Sequence, residues 1–202
     1  MMKARTRRED RPVVILDAAE RLIRRMGTRT LTIDAVAAEA SLSKGGVLHH
    51  YASKDALISA LAERKLREIR ESVAAHEAEQ GPGPAALPLA LIAHARQVYA
   101  DEDGFPRALL LASAENPEAF AGFNAFLKQR LAQMEDVACC PGAGAMLTFA
   151  TLGLLLTRTL GFHCLEGAEL EKLFDAMEQA ARSLPKPASL KPDSLKPASP
   201  KP

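Results

Sequence analysis

From Pro12 onward, apolar residues recur along the chain at three- and four-residue spacing, the mark of helices with one buried face. Val14, Leu16, Ala18, Ala19, Leu22, Ile23 and Met26 predict a first helix. Pro12 suits its first turn and Gly27 its end. Ile33, Val36, Ala37 and Ala40 mark a short second helix over Thr32–Ala40. Thr32 is a good N-cap, and Asp34 lies in the first turn, where the helix dipole favours an acid. Ser41-Leu42-Ser43 interrupts the pattern, and Ser43 can cap a third helix over Lys44–Tyr51. Ser53 can cap a fourth, whose stripe of Leu57, Ile58, Leu61, Leu66 and Ile69 runs to about Gln80. Gly81-Pro82-Gly83-Pro84 is the clearest break in the chain. Helical patterning resumes over Leu87–Ala100, Phe105–Glu115, Pro117–Asp136, Gly144–Phe162 and Ala168–Leu184.

Composition agrees with an all-α fold. Of the 202 residues, 48% are hydrophobic but only 4% aromatic, with no Trp. Sheets favour β-branched and aromatic residues, whereas the Ala, Leu, Arg and Glu that dominate here favour helices. The net charge of +1 hides a segregation: residues 1–70 carry +6, residues 71–184 carry −8, and the tail from Pro185 carries +3. A basic leading part beside an acidic body suggests one face made for a polyanion. Residues 1–11 read as a basic flexible arm. From Ser183 the chain repeats Ser-Leu-Pro-Lys-Pro and Ser-Leu-Lys-Pro units, so 185–202 read as a disordered Pro/Lys-rich tail. That tail serves solubility or a weak, sequence-independent attraction to DNA.

Three Cys, two of them adjacent at Cys139 and Cys140, make neither a disulfide framework nor a zinc pattern, which fits a reducing cytoplasm. Cys139-Cys140 before Pro141-Gly142 reads as an inert loop pair or an oxidant sensor. The apolar run from Ala143 to Thr157 is shorter than the roughly 18 to 20 residues that span a bilayer, so it reads as a buried helix and no membrane partner is expected. The basic N-terminus lacks the apolar run of a signal peptide. No His-Glu-x-x-His, phosphate loop or Gly-x-Ser-x-Gly is present, so we expect no enzyme, no cofactor and no metal. His49 and His50 are adjacent on a helix, about 100° apart, and such pairs rarely share a metal.

Two short helices joined by a three-residue turn form a helix-turn-helix, whose second helix enters the major groove. Gly45-Gly46 opens that helix at a cost of about 1 kcal/mol per Gly relative to Ala, which suggests close approach to a partner such as duplex DNA. Lys44 is the one long cation in the recognition helix and the best candidate to read guanine O6/N7 or to hold a phosphate. Arg5, Arg7, Arg8 and Arg11 form an arm that can reach the backbone or minor groove.

The run from Gly27 to Leu57, GTRTLTIDAVAAEASLSKGGVLHHYASKDAL, with Ile15-Leu-Asp-Ala-Ala-Glu-Arg-Leu-Ile before it, resembles the DNA-binding domain of the tetracycline-repressor (TetR) family. The resemblance covers about residues 12–70 and implies an N-terminal three-helix DNA-binding domain (12–55). It also implies a connecting helix (56–80) and a C-terminal helical ligand-sensing and dimerisation domain (85–184). It implies that Thr32 and Lys54 contact phosphates and that Ser43, Lys44, Gly45 and Gly46 lie nearest base edges. His49 and His50 would face the backbone or groove. Leu48 stands where many members have an aromatic and cannot donate to a phosphate; Lys44 or His49 would substitute. Tyr51 falls where the family often has a packed Phe, and reads as core.

For the C-terminal part the resemblance implies a homodimer whose last two helices form a four-helix bundle with their twins. Met146, Phe149, Leu152, Gly153, Leu156 and Leu160 would contribute, with Leu170, Leu173, Phe174 and Met177. It also implies an effector pocket among the middle helices, with His94, Tyr99, Phe105, Leu109, Phe120, Phe123, Phe126 and Leu127 as candidate lining, and Leu111 and Met134 beside them. Arg96, Arg107 and Arg158 could pair with an acidic ligand, although ion pairing at the surface accounts for them better, and the class of pocket fits an apolar or amphipathic effector. The expectation is a cytoplasmic repressor released from a palindromic DNA operator by a small molecule. A helical protein–protein adaptor with a merely structural helix-turn-helix is the alternative.

Overall fold

A computed structural model describes residues 11–27, 30–100, 109–110, 116–135, 142–162 and 165–184. The expectations on Arg5, Arg7, Arg8, Phe105, Arg107, Leu111, Cys139, Cys140 and the Pro/Lys-rich tail lie outside those residues. Among the described residues the chain is all-helical with no strand. The helices are α1 (Arg11–Met26), α2 (Ile33–Glu39), α3 (Lys44–Leu48), α4 (Lys54–Gln80) and α5 (Ala86–Ala100). A 3-10 turn (Pro117–Phe120) then leads into α6 (Ala121–Glu135), followed by α7 (Ala143–Leu160) and α8 (Gly167–Arg182).

The caps expected from the sequence are in place. Thr32 Oγ1 accepts from Ala35 N at 3.1 Å, Ser43 Oγ from Gly46 N at 3.1 Å and Ser53 Oγ from Ala56 N at 3.0 Å. Each satisfies a donor that the first turn of a helix leaves unpaired. Between α2 and α3 the chain turns through a Schellman motif. Ser41 N donates to Ala38 O at 3.1 Å and Leu42 N to Ala37 O at 2.9 Å. Ser41 takes the left-handed position, with φ of 56°. The third helix is shorter than Lys44–Tyr51: it ends at Leu48, and His50 and Tyr51 close it with bonds to Val47 O at 3.0 and 2.9 Å. Two glycines and a downstream cluster of ring-bearing residues give this segment little propensity to extend.

Ile15, Ala18, Leu22, Ile23, Leu31, Val36, Val47, Leu57, Ile58 and Leu61 form one core across α1 to α4. That core is not closed by residues 12–61 alone, because Leu109 and Ala119 are buried in it. Asn116 reinforces the junction: its Nδ2 donates to Asp55 O (3.3 Å) and Ser59 Oγ (3.2 Å), while its Oδ1 caps the 3-10 turn at Glu118 N (3.2 Å). Arg64, in the middle of α4, is tied to Asp17 at 2.6 Å and to Glu20, fastening α4 to α1.

A second core joins α5, α7 and α8 through Leu89, Ile92, Ala95, Tyr99, Leu147, Leu154, Phe174, Met177 and Ala181. Helices α6 and α7 approach closely at Gly144, where a Cβ would stand 2.4 Å from Met134 Cβ. Helix α7 is long and apolar enough to cross a membrane by length and composition, yet only 28% of it is buried. Thr148, Thr151 and Thr157 hide their hydroxyls by donating to carbonyls one turn back, at 2.8 to 2.9 Å. The sequence reading of this helix as buried therefore holds for one side only. Met146, Phe149 and Leu156 project outward with 60%, 56% and 37% of their surface exposed.

Candidate nucleic-acid interface

Helix α3 is fixed to the body by a single fully buried side chain, Val47. Ser43, Lys44, Gly45, Leu48 and His49 are exposed around it, with Gly46 and His50 half-buried. A short helix with one inward anchor and an outward polar N-terminal turn can seat on a duplex without disturbing its own core. Thr32 at the start of α2 and Lys54 at the start of α4 are exposed as well. The hydroxyls of Thr32 and Ser43 use a lone pair for capping, which leaves each O–H to donate to a phosphate oxygen.

Lys44, the one long cation of α3, is paired with a carboxylate. Its Nζ lies 3.0 Å from Asp34 Oδ2, across the turn that joins the two helices. Asp34 gives no sequence signal for this beyond its first-turn position, because the pairing depends on the bend at Ser41. His49 and His50 stack edge to face with ring centres 5.1 Å apart. Tyr51 packs against the α1–α4 core, and its hydroxyl reaches Pro12 O at 3.5 Å, as a residue in the place of a packed Phe should. Burial pushes the Tyr51 phenol above its ordinary pKa, with the Arg64 charge opposing. Hydrogen bonds from Arg25 and then Arg21 hold the Glu39 carboxyl below the usual carboxylate range and link α1 to the end of α2.

Among the described residues, those considered for an effector pocket lie in separate places. Tyr99 is buried, with its hydroxyl donating to Leu165 O and accepting from Leu165 N, both at 2.9 Å, and its ring meets Phe174 edge-on. Phe126 is buried between α4 and α6, with the Arg70 and Arg130 guanidinium groups 5.7 and 5.1 Å from its ring centre. Leu109 belongs to the α1–α4 core. Phe120, Phe123 and Leu127 are half-buried. His94 sits between α4 and α5 with Nδ1 2.9 Å from Ser72 Oγ. Burial, then the neighbouring His76 and Lys65, lowers its pKa to about 4. A cleft of about 340 Å³ opens elsewhere, at the far ends of α4 and α6, lined by Glu77, Gly83, Pro84, Leu87, Pro88, Gln133, Met134 and Leu184. Among the described residues, Met134 is the sequence candidate that reaches it.

Arg96 and Arg158 are engaged within the protomer. Arg96 bonds Glu171 and Glu178 and covers the Phe174 ring at 4.5 Å; Arg158 covers the Tyr99 ring at 4.4 Å. Of the residues considered for a dimer face, Met146, Phe149 and Leu156 point outward, and Leu152, Gly153, Leu160, Leu170 and Leu173 are partly covered. Phe174 and Met177, with 1% and 5% exposure, fill the protomer's own second core. Among the described residues no group of three or more His, Cys, Asp or Glu could hold a metal ion.

Residues 15–61 match the sequence model described as "Bacterial regulatory proteins, tetR family", and residues 85–182 match "Tetracyclin repressor-like, C-terminal domain". Two curated relatives are HTH-type transcriptional regulators named BetI. The one from Stenotrophomonas maltophilia is 34% identical over 70 residues, and the one from Burkholderia thailandensis 34% identical over 86. These stretches cover 35% and 43% of this chain and span only 36% and 44% of the relatives' own length. Among solved structures, a TetR-family regulator from Streptomyces coelicolor superposes with a TM-score of 0.67 at 23% identity, covering 87% of this chain and 96% of that one. The multidrug binding protein EbrR, solved with imidazole, superposes at 0.65 and 23% identity over 89% of this chain and 97% of its own. The same protein has also been solved with ethidium and with malachite green. At such identities these likenesses speak for the fold alone; the two family matches, one ending within α4 and one beginning after it, carry the assignment. The chain belongs to the TetR family of transcriptional regulators, with a helix-turn-helix DNA-binding domain at its N-terminal end.

Proposed function

We propose that this protein is a homodimeric, cytoplasmic repressor that binds a palindromic operator and leaves it when a small apolar or amphipathic molecule binds. Residues 12–55 grip DNA with the arm 1–11 beside them, 56–80 connect, and 85–184 sense and dimerise. The observation that carries this reading is the outward apolar stripe on α7. Met146, Phe149 and Leu156 recur on one side of the helix, with Gly153 between them. Covering a stripe of this kind with a second copy buries it symmetrically, because a two-fold contact brings the same patch to itself. Two recognition helices held about 34–36 Å apart then enter successive major grooves.

Release follows if the effector binds better to a dimer whose recognition helices stand at another spacing. The path for this runs through α4, which Arg64 fastens to α1 and which meets α6 at Gly122, and through Leu109, Ala119 and Asn116 in the DNA-binding core. The cleft beside Glu77, Leu87 and Met134 falls at the small end of the size range of small-molecule sites, about 300–1,000 Å³.

The test is a mobility shift of the full chain on a palindromic promoter fragment at rising salt, run beside sedimentation analysis. The expected result is a dimer whose specific shift weakens steeply with salt, as counterion release demands. A monomer, or a chain that shifts no duplex at low salt, overturns the reading and favours the adaptor.

A further inference from the structure

We propose that Asp34 is a specificity-determining residue which, with Lys44, forms one couplet that reads a single G·C base pair. This rests on the sequence-specific reading above. Lys44 Nζ and Asp34 Oδ2 are 3.0 Å apart, and the two side chains are 59% and 69% exposed. The fold does not need this pair. The turn is already held by the Ser43 cap, the Leu42 N to Ala37 O bond and the burial of Val36 and Val47, and an ion pair this exposed adds little to stability.

Beside DNA, however, a carboxylate next to the recognition helix matters. It repels phosphates and cancels much of the pull of Lys44 on any duplex, whatever its sequence. The couplet gains only where a base pair offers matching partners. Across the major-groove edge of G·C, guanine presents N7 and O6 acceptors and cytosine then presents the N4 amino donor. Lys44 keeps two N–H donors beyond the one given to Asp34, enough for N7 and O6, and the other carboxylate oxygen can accept from N4. An A·T pair presents acceptor, donor, acceptor and a methyl group, which would set the carboxylate against thymine O4. Gly45 leaves room beside the couplet: a Cβ there would meet nothing within 4 Å, so a base edge can approach.

The experiment is selection of randomised duplexes by the full chain and by Asp34→Asn and Lys44→Ala, with salt titration on a non-specific duplex. The wild type should enrich G·C at one position of each half-site. Both variants should lose about tenfold of that enrichment at the same position and leave the others unchanged. Asp34→Asn should also bind non-specific DNA several-fold more tightly, with a salt dependence steeper by about one phosphate contact and a melting temperature lowered by no more than a few degrees through the lost first-turn acid. Retained G·C preference in Asp34→Asn, or relaxation of different positions by the two variants, overturns the proposal. A wild type that enriches no sequence sinks sequence-specific binding itself, and the couplet with it.

Discussion

At the turn between α2 and α3 the backbone demands a residue that tolerates a φ of 56°, and the sequence supplies Ser41. A left-handed conformation costs a residue with a Cβ about 1 kcal/mol, and glycine is free of that cost. Ser41→Gly should therefore raise stability by about 0.5–1 kcal/mol, offset in part by glycine's larger unfolded-state entropy. Urea denaturation with an unchanged m-value would read it. Glycine has the opposite meaning at Gly144. A Cβ there would collide at 2.4 Å with Met134 Cβ, an atom next to the backbone, so α6 and α7 would have to separate. Gly144→Ala should cost about 1–3 kcal/mol. Gly122→Ala should cost less, under about 1 kcal/mol, because the atom met at 2.2 Å is the movable end of Glu63 and Leu66 Cδ2 at 3.0 Å needs to give only slightly. Equal melting temperatures for the two variants would contradict this packing.

Between elements, the α4–α5 pair holds a His whose pKa moves far. His94 is pressed between the two helices and bonded to Ser72, and burial lowers its pKa from 6.5 to about 4. The unfolded chain therefore takes up a proton at about pH 6.5, and the folded chain only near pH 4. Stability from neutral His94 is complete above pH 6.5, falls as pH drops toward 4, and levels off below that. The loss should reach about 2 kcal/mol, less than the full shift implies because His94 is only half-buried. Denaturation at pH 7 and pH 4.5 in wild type and His94→Gln would measure it; an identical pH slope in both proteins would remove His94 as the cause. The elements themselves were largely legible along the chain. Thr32, Ser43 and Ser53 cap where their side chains said they would, since capping is settled within four residues. The end of α3 was misread by three residues, because its stop depends on how His49 to Tyr51 fold back on Val47 and the α1–α4 core.

For the whole molecule, the proposed dimer rests on the apolar face of α7. Phe149→Glu should leave the protomer folded, since Phe149 is 56% exposed, and should shift the chain from dimer to monomer in sedimentation. Operator affinity should then fall by at least tenfold, because two half-sites are no longer engaged together. A Phe149→Glu dimer with full affinity would place the interface elsewhere.

By itself the sequence determined the all-α class, the caps, the breaks and the helix-turn-helix, because each arises from spacing and backbone chemistry within a few residues. Tertiary structure alone decided which apolar side of α7 and α8 faces inward. Phe174 and Met177 lie on a stripe that any partner could cover, and α5 covers it. It also decided that Lys44 meets Asp34 and that Leu109 and Ala119 complete the DNA-binding core. Contacts between residues ten to a hundred positions apart depend on how helices cross, and periodicity along one helix holds no record of what lies against it.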